Sequence, residues 1–157
     1  MTYVQRMMAV GPNEANEAAQ PPQRQPLLLI VEDDNGAVEA LQPICDFLEV
    51  AIESIPSERE LSKALKDYNP MGVIAHMDCR GQDGCHVMMI VAQHDRNLPI
   101  LLITGDDPAL IGAADAVEEL WRLESVIKFP GLPNVGAIVD FLFRAGRKAR
   151  CMRLLPV

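Results

Sequence analysis

Three unbroken apolar runs stop abruptly at polar residues, and they restrict this chain to very few folds. Residues 27–31 (LLLIV) lead into Glu32-Asp33-Asp34, residues 72–75 (GVIA) into His76-Met77-Asp78, and residues 98–103 (LPILLI) into Thr104-Gly105-Asp106-Asp107. A run without alternation belongs to a strand buried on both faces, the habit of parallel sheets covered by helices. Crossover helices join such strands, so their carboxyl ends lie along one edge. Open sheets of this kind hold their chemistry at that edge. The polar residues that end the runs are therefore the candidate site, and the stretch 72–86 (GVIAHMDCRGQDGCH) is its centre, with His76, Asp78, Cys79 and Cys85 in the loop before the next helix.

The segments between the runs read as helices and two shorter strands. Val38, Leu41, Ile44, Cys45 and Leu48 recur at helical spacing over 36–49, with Pro43 expected to bend or shorten that helix. Val50, Ile52 and Ile55 alternate as a short strand. Ser57 and Glu60 form a capping box for a helix through Leu61, Leu65 and Tyr68 that stops at Asn69-Pro70. A helix over 85–95 follows the central loop. Asp107 caps and Pro108 opens another, which runs to about Trp121. Val126 and Ile127 form a fifth strand ending at Lys128, and a last helix over 134–149 buries Val135, Ile138, Val139, Leu142 and Phe143. Strand and helix alternate five times, so right-handed crossovers predict a doubly wound, five-stranded parallel sheet with helices on both faces. Residues 1–26, with four prolines among Gln, Asn, Glu and Ala, read as a mobile leader, 27–150 as the domain and 151–157 as a tail.

Composition limits the function. At 157 residues the chain is the size of one domain. Its net charge of −8 argues against a nucleic-acid partner bound through a broad basic surface, because counterion release needs clustered Lys and Arg. The exception, Arg144, Arg147, Lys148, Arg150 and Arg153, reads as a solvated helix end at the negative pole of the helix dipole. Four cysteines (Cys45, Cys79, Cys85, Cys151) without a regular framework fit a reducing compartment. No apolar run approaches the roughly 18 residues of a membrane span, and the N-terminus lacks a secretory pattern. The expectation is a cytoplasmic protein with no membrane partner.

The strand ends bring together acids (Glu32, Asp33, Asp78), an imidazole (His76), a hydroxyl (Thr104) and an ammonium (Lys128). Such a set suits Mg²⁺ plus a phosphoryl group: hard oxygens hold the ion, and hydroxyl and ammonium take phosphate oxygens. Three adjacent acids repel, so Glu32-Asp33-Asp34 needs a cation, water or a helix N-terminus beside it. Imidazole and thiolate favour Zn²⁺ instead. His76 with Asp33 or Asp78, joined by Cys79, Cys85 and His86, is thus a transition-metal alternative. It lacks a CxxC pair, and Cys85 stands where cysteine usually behaves as a small buried hydrophobe. His86 and His94 show no evident partners.

In this order and at these separations, LLLIVEDD, the loop ending QDG, LPILLITG and the lysine of VIKFP resemble the receiver domains of two-component response regulators, over about residues 27–145. The resemblance implies a flavodoxin-like, receiver-type fold and a Mg²⁺ site at Glu32 and Asp33. It makes Thr104 and Lys128 the switch residues that read phosphorylation, and a histidine kinase the phosphoryl source. Counted back from Gly84, the family's acceptor aspartate falls on His76, which cannot form an acyl phosphate; Asp78 is the alternative acceptor. Two further departures follow. Phe129 separates Lys128 from Pro130, where the family has proline next, and Ser125 stands where an aromatic often swings with the switch.

The sequence therefore reads as a stand-alone receiver-like domain of a bacterial two-component system, not an enzyme, degenerate at the acceptor and acting through protein contacts. The alternative is an active phosphoacceptor using Asp78 with Mg²⁺. The resemblance implies output to a protein partner or a second copy across the fourth helix, fifth strand and fifth helix, where Trp121, Phe141 and Phe143 offer aromatic anchors. A nucleotide or flavin binder is a third reading, and it lacks a glycine-rich phosphate loop after the first strand.

Overall fold

The apolar runs are the inner strands of a single sheet. The computed structural model describes residues 24–32, 34–77 and 84–151. The strands are β1 (Gln25–Val31), β2 (Ala51–Ile55), β3 (Pro70–His76), β4 (Ile100–Ile103) and β5 (Val126–Phe129). The helices are α1 (Gly36–Leu48), α2 (Leu61–Tyr68), α3 (Gly84–His94), α4 (Pro108–Trp121) and α5 (Val135–Ala149), with a 3₁₀ turn (Glu58–Glu60) before α2. All pairings are parallel and the strand order is β2-β1-β3-β4-β5. This is the expected doubly wound sheet, and its order reverses between β1 and β3, where the strand ends leave a crevice.

Alternation along the strands divides the core in two. Leu29, Val31, Val73, Ala75, Ile100 and Leu102 face α2, α3 and α4, meeting Leu65, Val87, Met88, Val91 and Ala114. Leu28, Ile30, Ile74, Leu101 and Ile103 face α1 and α5, meeting Leu41, Cys45, Ile138, Phe141 and Leu142. Leu28, Leu29, Ile30 and Val31 are completely buried, each worth about 1.5–3 kcal/mol by area alone. On the second face, a Cβ on Gly72 would lie 3.2 Å from the Phe141 ring, so the glycine lets α5 lie close on β3. Phe141 is 2% exposed; it is a core residue, and the expectation of a surface anchor there is corrected. Val135, expected inside, is exposed, because the buried face of α5 starts one turn later at Ile138.

Local chemistry sets the boundaries. Pro43 does not break α1: it lies on the exposed side, as does Glu39, whose carbonyl it deprives of a helical donor. Ser57 caps the 3₁₀ turn, accepting from the Arg59 N–H at 3.0 Å, so the capping box opens that turn and α2 starts at Leu61. Asp107 accepts from the Ala109 N–H at 2.9 Å and Asn134 from the Ala137 N–H at 2.9 Å, placing both just outside their helices. β4 begins at Ile100, since Pro99 has no N–H to donate, although Leu98 is already buried. β1 begins at Gln25, two residues before the expected domain start. At the amino edge, Arg24 is 5% exposed and its guanidinium pairs with Asp95 just beyond α3. No helix among the described residues is long and apolar enough to cross a membrane.

Candidate functional site

The carboxyl edge collects the strand ends as expected. Val31 is level with Ile55 and Ala75, Ala75 with Leu102, and His76 with Ile103. Glu32, His76 and Thr104 therefore emerge side by side from β1, β3 and β4. Asp33, Asp78 and Cys79 lie outside the described residues.

Glu32 is 3% exposed, and its carboxylate is committed to α1. One oxygen accepts from the Ala37 N–H and the other from the Val38 N–H, both at 3.1 Å. Asp34 accepts from the Gly36 N–H at 3.0 Å. Of the three compensations open to the acidic run, these two acids use the helix N-terminus, whose unpaired donors and positive pole favour negative charge. They replace a conventional cap, for Asn35 makes no side-chain cap bond.

Strand parity separates the remaining groups. Glu32 and His76 each come one residue after the Val31–Ala75 level and share the parity of Ile30 and Ile74, the α1 and α5 side. Lys128 is level with Leu102, which packs on the opposite, α4 side. Its ammonium contacts Asp115 Oδ1 at 3.1 Å and Glu118 Oε1 at 2.5 Å, both on α4. Burial pulls the ammonium pKa down, but the bonds to Glu118 and Asp115 outweigh it and the net shift is upward. The amine expected in the cleft is thus held beneath α4, and the reason is Phe129. Phe129, which stands between Lys128 and Pro130, is level with Ile103 and His76, so Lys128, one residue earlier, points to the other face.

Thr104 is 1% exposed, and its hydroxyl donates to the carbonyls of Gly105 at 3.0 Å and Phe129 at 3.3 Å. The hydroxyl joins the ends of β4 and β5. Gly105 follows in the left-handed region (φ 71), which a side chain would strain. His76 is half-buried at the end of β3.

Among the described residues no three His, Cys, Asp or Glu side chains gather closely enough to hold a metal ion. Cys85 is half-buried against the core. Burial, with Asp46 adding to it, pushes the Cys45 thiol up to about 11, which suits a structural cysteine. His86, expected without a partner, has Nδ1 3.7 Å from Glu58 Oε2. The Glu58 side chain is 13% exposed and its other oxygen has no hydrogen-bond partner. Sequence gave no sign of this pair, because Glu58 and His86 are joined only by the packing of the β2–α2 turn against α3.

Residues 27–135 match the family described as "Flagellar regulatory protein FleQ". No curated protein matches the chain. Among solved structures, the signal receiver domain of a signal transduction histidine kinase from Syntrophus aciditrophicus has a TM-score of 0.65 at 19% identity, covering 83% of this chain and 97% of its own. The N-terminal signal receiver domain of a two-component response regulator from Bacteroides fragilis has a TM-score of 0.59 at 22% identity, covering 76% and 94%. The beryllofluoride-activated NtrC4 receiver domain dimer has a TM-score of 0.63 at 14% identity, covering 80% and 99%. The fold is that of a receiver domain.

Proposed function

This chain belongs to the family of the flagellar regulatory protein FleQ, and on that premise we propose that it is a cytoplasmic, receiver-type signalling domain that works by protein contacts without aspartyl phosphorylation. The observation that carries this reading is the direction of Lys128. The cation that would meet a phosphoryl group above β3 is bonded to Asp115 and Glu118 on the other side of the sheet.

The rest of the edge supports it. His76 occupies the position of the acceptor, and an imidazole brings no fixed negative charge toward a hard cation. Each oxygen of Glu32 already accepts a backbone N–H, and the one proton of the Thr104 hydroxyl is shared between two carbonyls. Among the described residues this edge therefore does not fit a Mg²⁺ site, and Asp33, the other acid expected to hold the ion, lies outside them.

Output on this reading passes to a protein partner or a second copy through the face formed by α4, β5 and α5. Leu120 is 77% exposed on α4, and Leu132 and Val135, before and at the start of α5, are 43% and 62% exposed. These, rather than Phe141, are the apolar groups available there.

The test is incubation with a small-molecule phosphodonor and Mg²⁺ followed by intact-mass measurement. No change in mass is expected. A gain of one phosphoryl group that vanishes in Asp78→Asn would establish the active-acceptor alternative.

A further inference from the structure

We infer that Lys128 is a positioning residue that clamps α4 to β5 and so fixes the shape of the α4–β5–α5 face. The inference rests on the proposal that this face is where a partner docks, and goes beyond it by naming what holds the surface in one form.

The hydrophobic attachment of α4 is light. Of its fourteen residues only Ala114 is fully buried, with Leu110, Val117 and Trp121 half-buried against the same core. The neighbouring α3, eleven residues long, buries Gly84, Val87, Met88, Val91 and Ala92. A helix held by so little apolar surface is readily displaced unless something else fixes it. Asp115 and Glu118 are three residues apart and so lie on one side of the helix, along one flank of the buried Ala114 line. The single ammonium between them comes from β5, an edge strand paired with β4 alone. Lys128 is 22% and Glu118 30% exposed, so that pair is better shielded than an ordinary surface ion pair, whereas Asp115 is 60% exposed.

Thr104 closes the other side of the same junction. Its backbone N–H donates to the Phe129 carbonyl at 2.8 Å and its hydroxyl to the same oxygen. The end of β4, the end of β5 and the middle of α4 are thereby tied by internal partners, and their arrangement requires no bound anion. A partner meets a preformed surface and bears little ordering cost.

Hydrogen exchange read by mass spectrometry on the full chain tests this. Lys128→Met should speed amide exchange across α4 by about tenfold or more while β1, β3 and α5 keep their rates. The Asp115→Asn/Glu118→Gln double variant, altered only on α4, should do the same, and Lys128→Arg should restore protection. Unchanged exchange in α4 for both neutral variants would overturn the clamp. So would an acceleration spread evenly over every element, which would make Lys128 a contributor to global stability and nothing more. A phosphoryl gain by the wild-type chain would defeat the functional proposal without touching this exchange pattern, so the two failures are separable.

Discussion

Gly84 opens α3 so close to Met77 that a Cβ there would lie 2.5 Å from the Met77 Sδ and 3.0 Å from its Cα. The sulfur belongs to a flexible side chain and can move, but the Cα cannot. Gly84 thus sets how near α3 starts to the end of β3, one residue from His76.

Gly84→Ala should destabilise the fold by about 1–3 kcal/mol, as over-packing does, despite the better helix propensity of alanine. Urea unfolding measures it. Trimming the sulfur away with Met77→Ala in the same chain should recover only part of the loss, because the backbone contact survives; full recovery would mean that the thioether alone made the glycine necessary.

Much of the fold was legible because two-sided burial leaves its mark on composition. The runs 27–31 and 98–103 have no polar residue to offer water, and they are the inner strands. Helix ends were legible as well, at Leu48, Tyr68, Trp121 and Ala149, although no glycine marks them. Glu49, Asn69, Arg122 and Arg150 occupy left-handed positions that glycine usually marks. At the site, sequence placed the strand ends correctly but not the faces. Lys128 was read as part of the cleft because it ends the fifth strand, whereas parity decides where a strand residue points, and Phe129 rather than Lys128 is level with Ile103. The partners of Glu32 were legible only as a class: the acidic run called for a cation, water or a helix, and the choice of α1 is a matter of packing.

Arg122 caps α4 at φ 57, where a Cβ crowds the following carbonyl at a cost of roughly 1–2 kcal/mol. Its side chain is exposed, so its removal takes away no burial. Arg122→Gly should raise stability by about 0.5–1 kcal/mol, after allowing for the entropy glycine adds to the unfolded chain, and a higher urea midpoint with unchanged slope would show it. A lower midpoint would mean that the arginine side chain holds an interaction worth more than the strain.

The Arg24–Asp95 pair bridges the start of β1 and the end of α3. Burial pushes the Asp95 carboxyl upward, but the Arg24 guanidinium and the Asn97 N–H outweigh it, and its pKa is lowered overall. A lowered carboxylate contributes stability above its unfolded value, about 3.9, and loses it as pH falls through the folded one. Asp95→Asn should therefore cost about 3 kcal/mol at neutral pH, the low end for a broken buried pair because Asp95 is 28% exposed. It should also flatten the decline in stability below about pH 4. Thermal unfolding across pH 2–7 gives both; a variant whose acid limb is as steep as the wild type would remove Asp95 from the account.

The opposite facing of Lys128 and His76 leads to a test by repair. Restoring a carboxylate with His76→Asp returns the nucleophile but not the cation, which stays bonded to Asp115 and Glu118 under α4. Exchanging the neighbours, Lys128→Phe with Phe129→Lys, shifts the amine by one residue and so to the Glu32 and His76 face of the sheet. Removing one preorganised donor from a developing negative charge typically costs a factor of 10²–10³ in rate. With a small phosphodonor and Mg²⁺, the chain carrying all three changes should therefore gain a phosphoryl group at least about tenfold faster than His76→Asp alone, followed by intact mass. Equal rates in the two chains would show that the lysine's direction is immaterial and that the acceptor residue alone keeps the edge silent; a faster gain with the exchange would show that the order of two adjacent residues in β5 adds to the silence set by the acceptor.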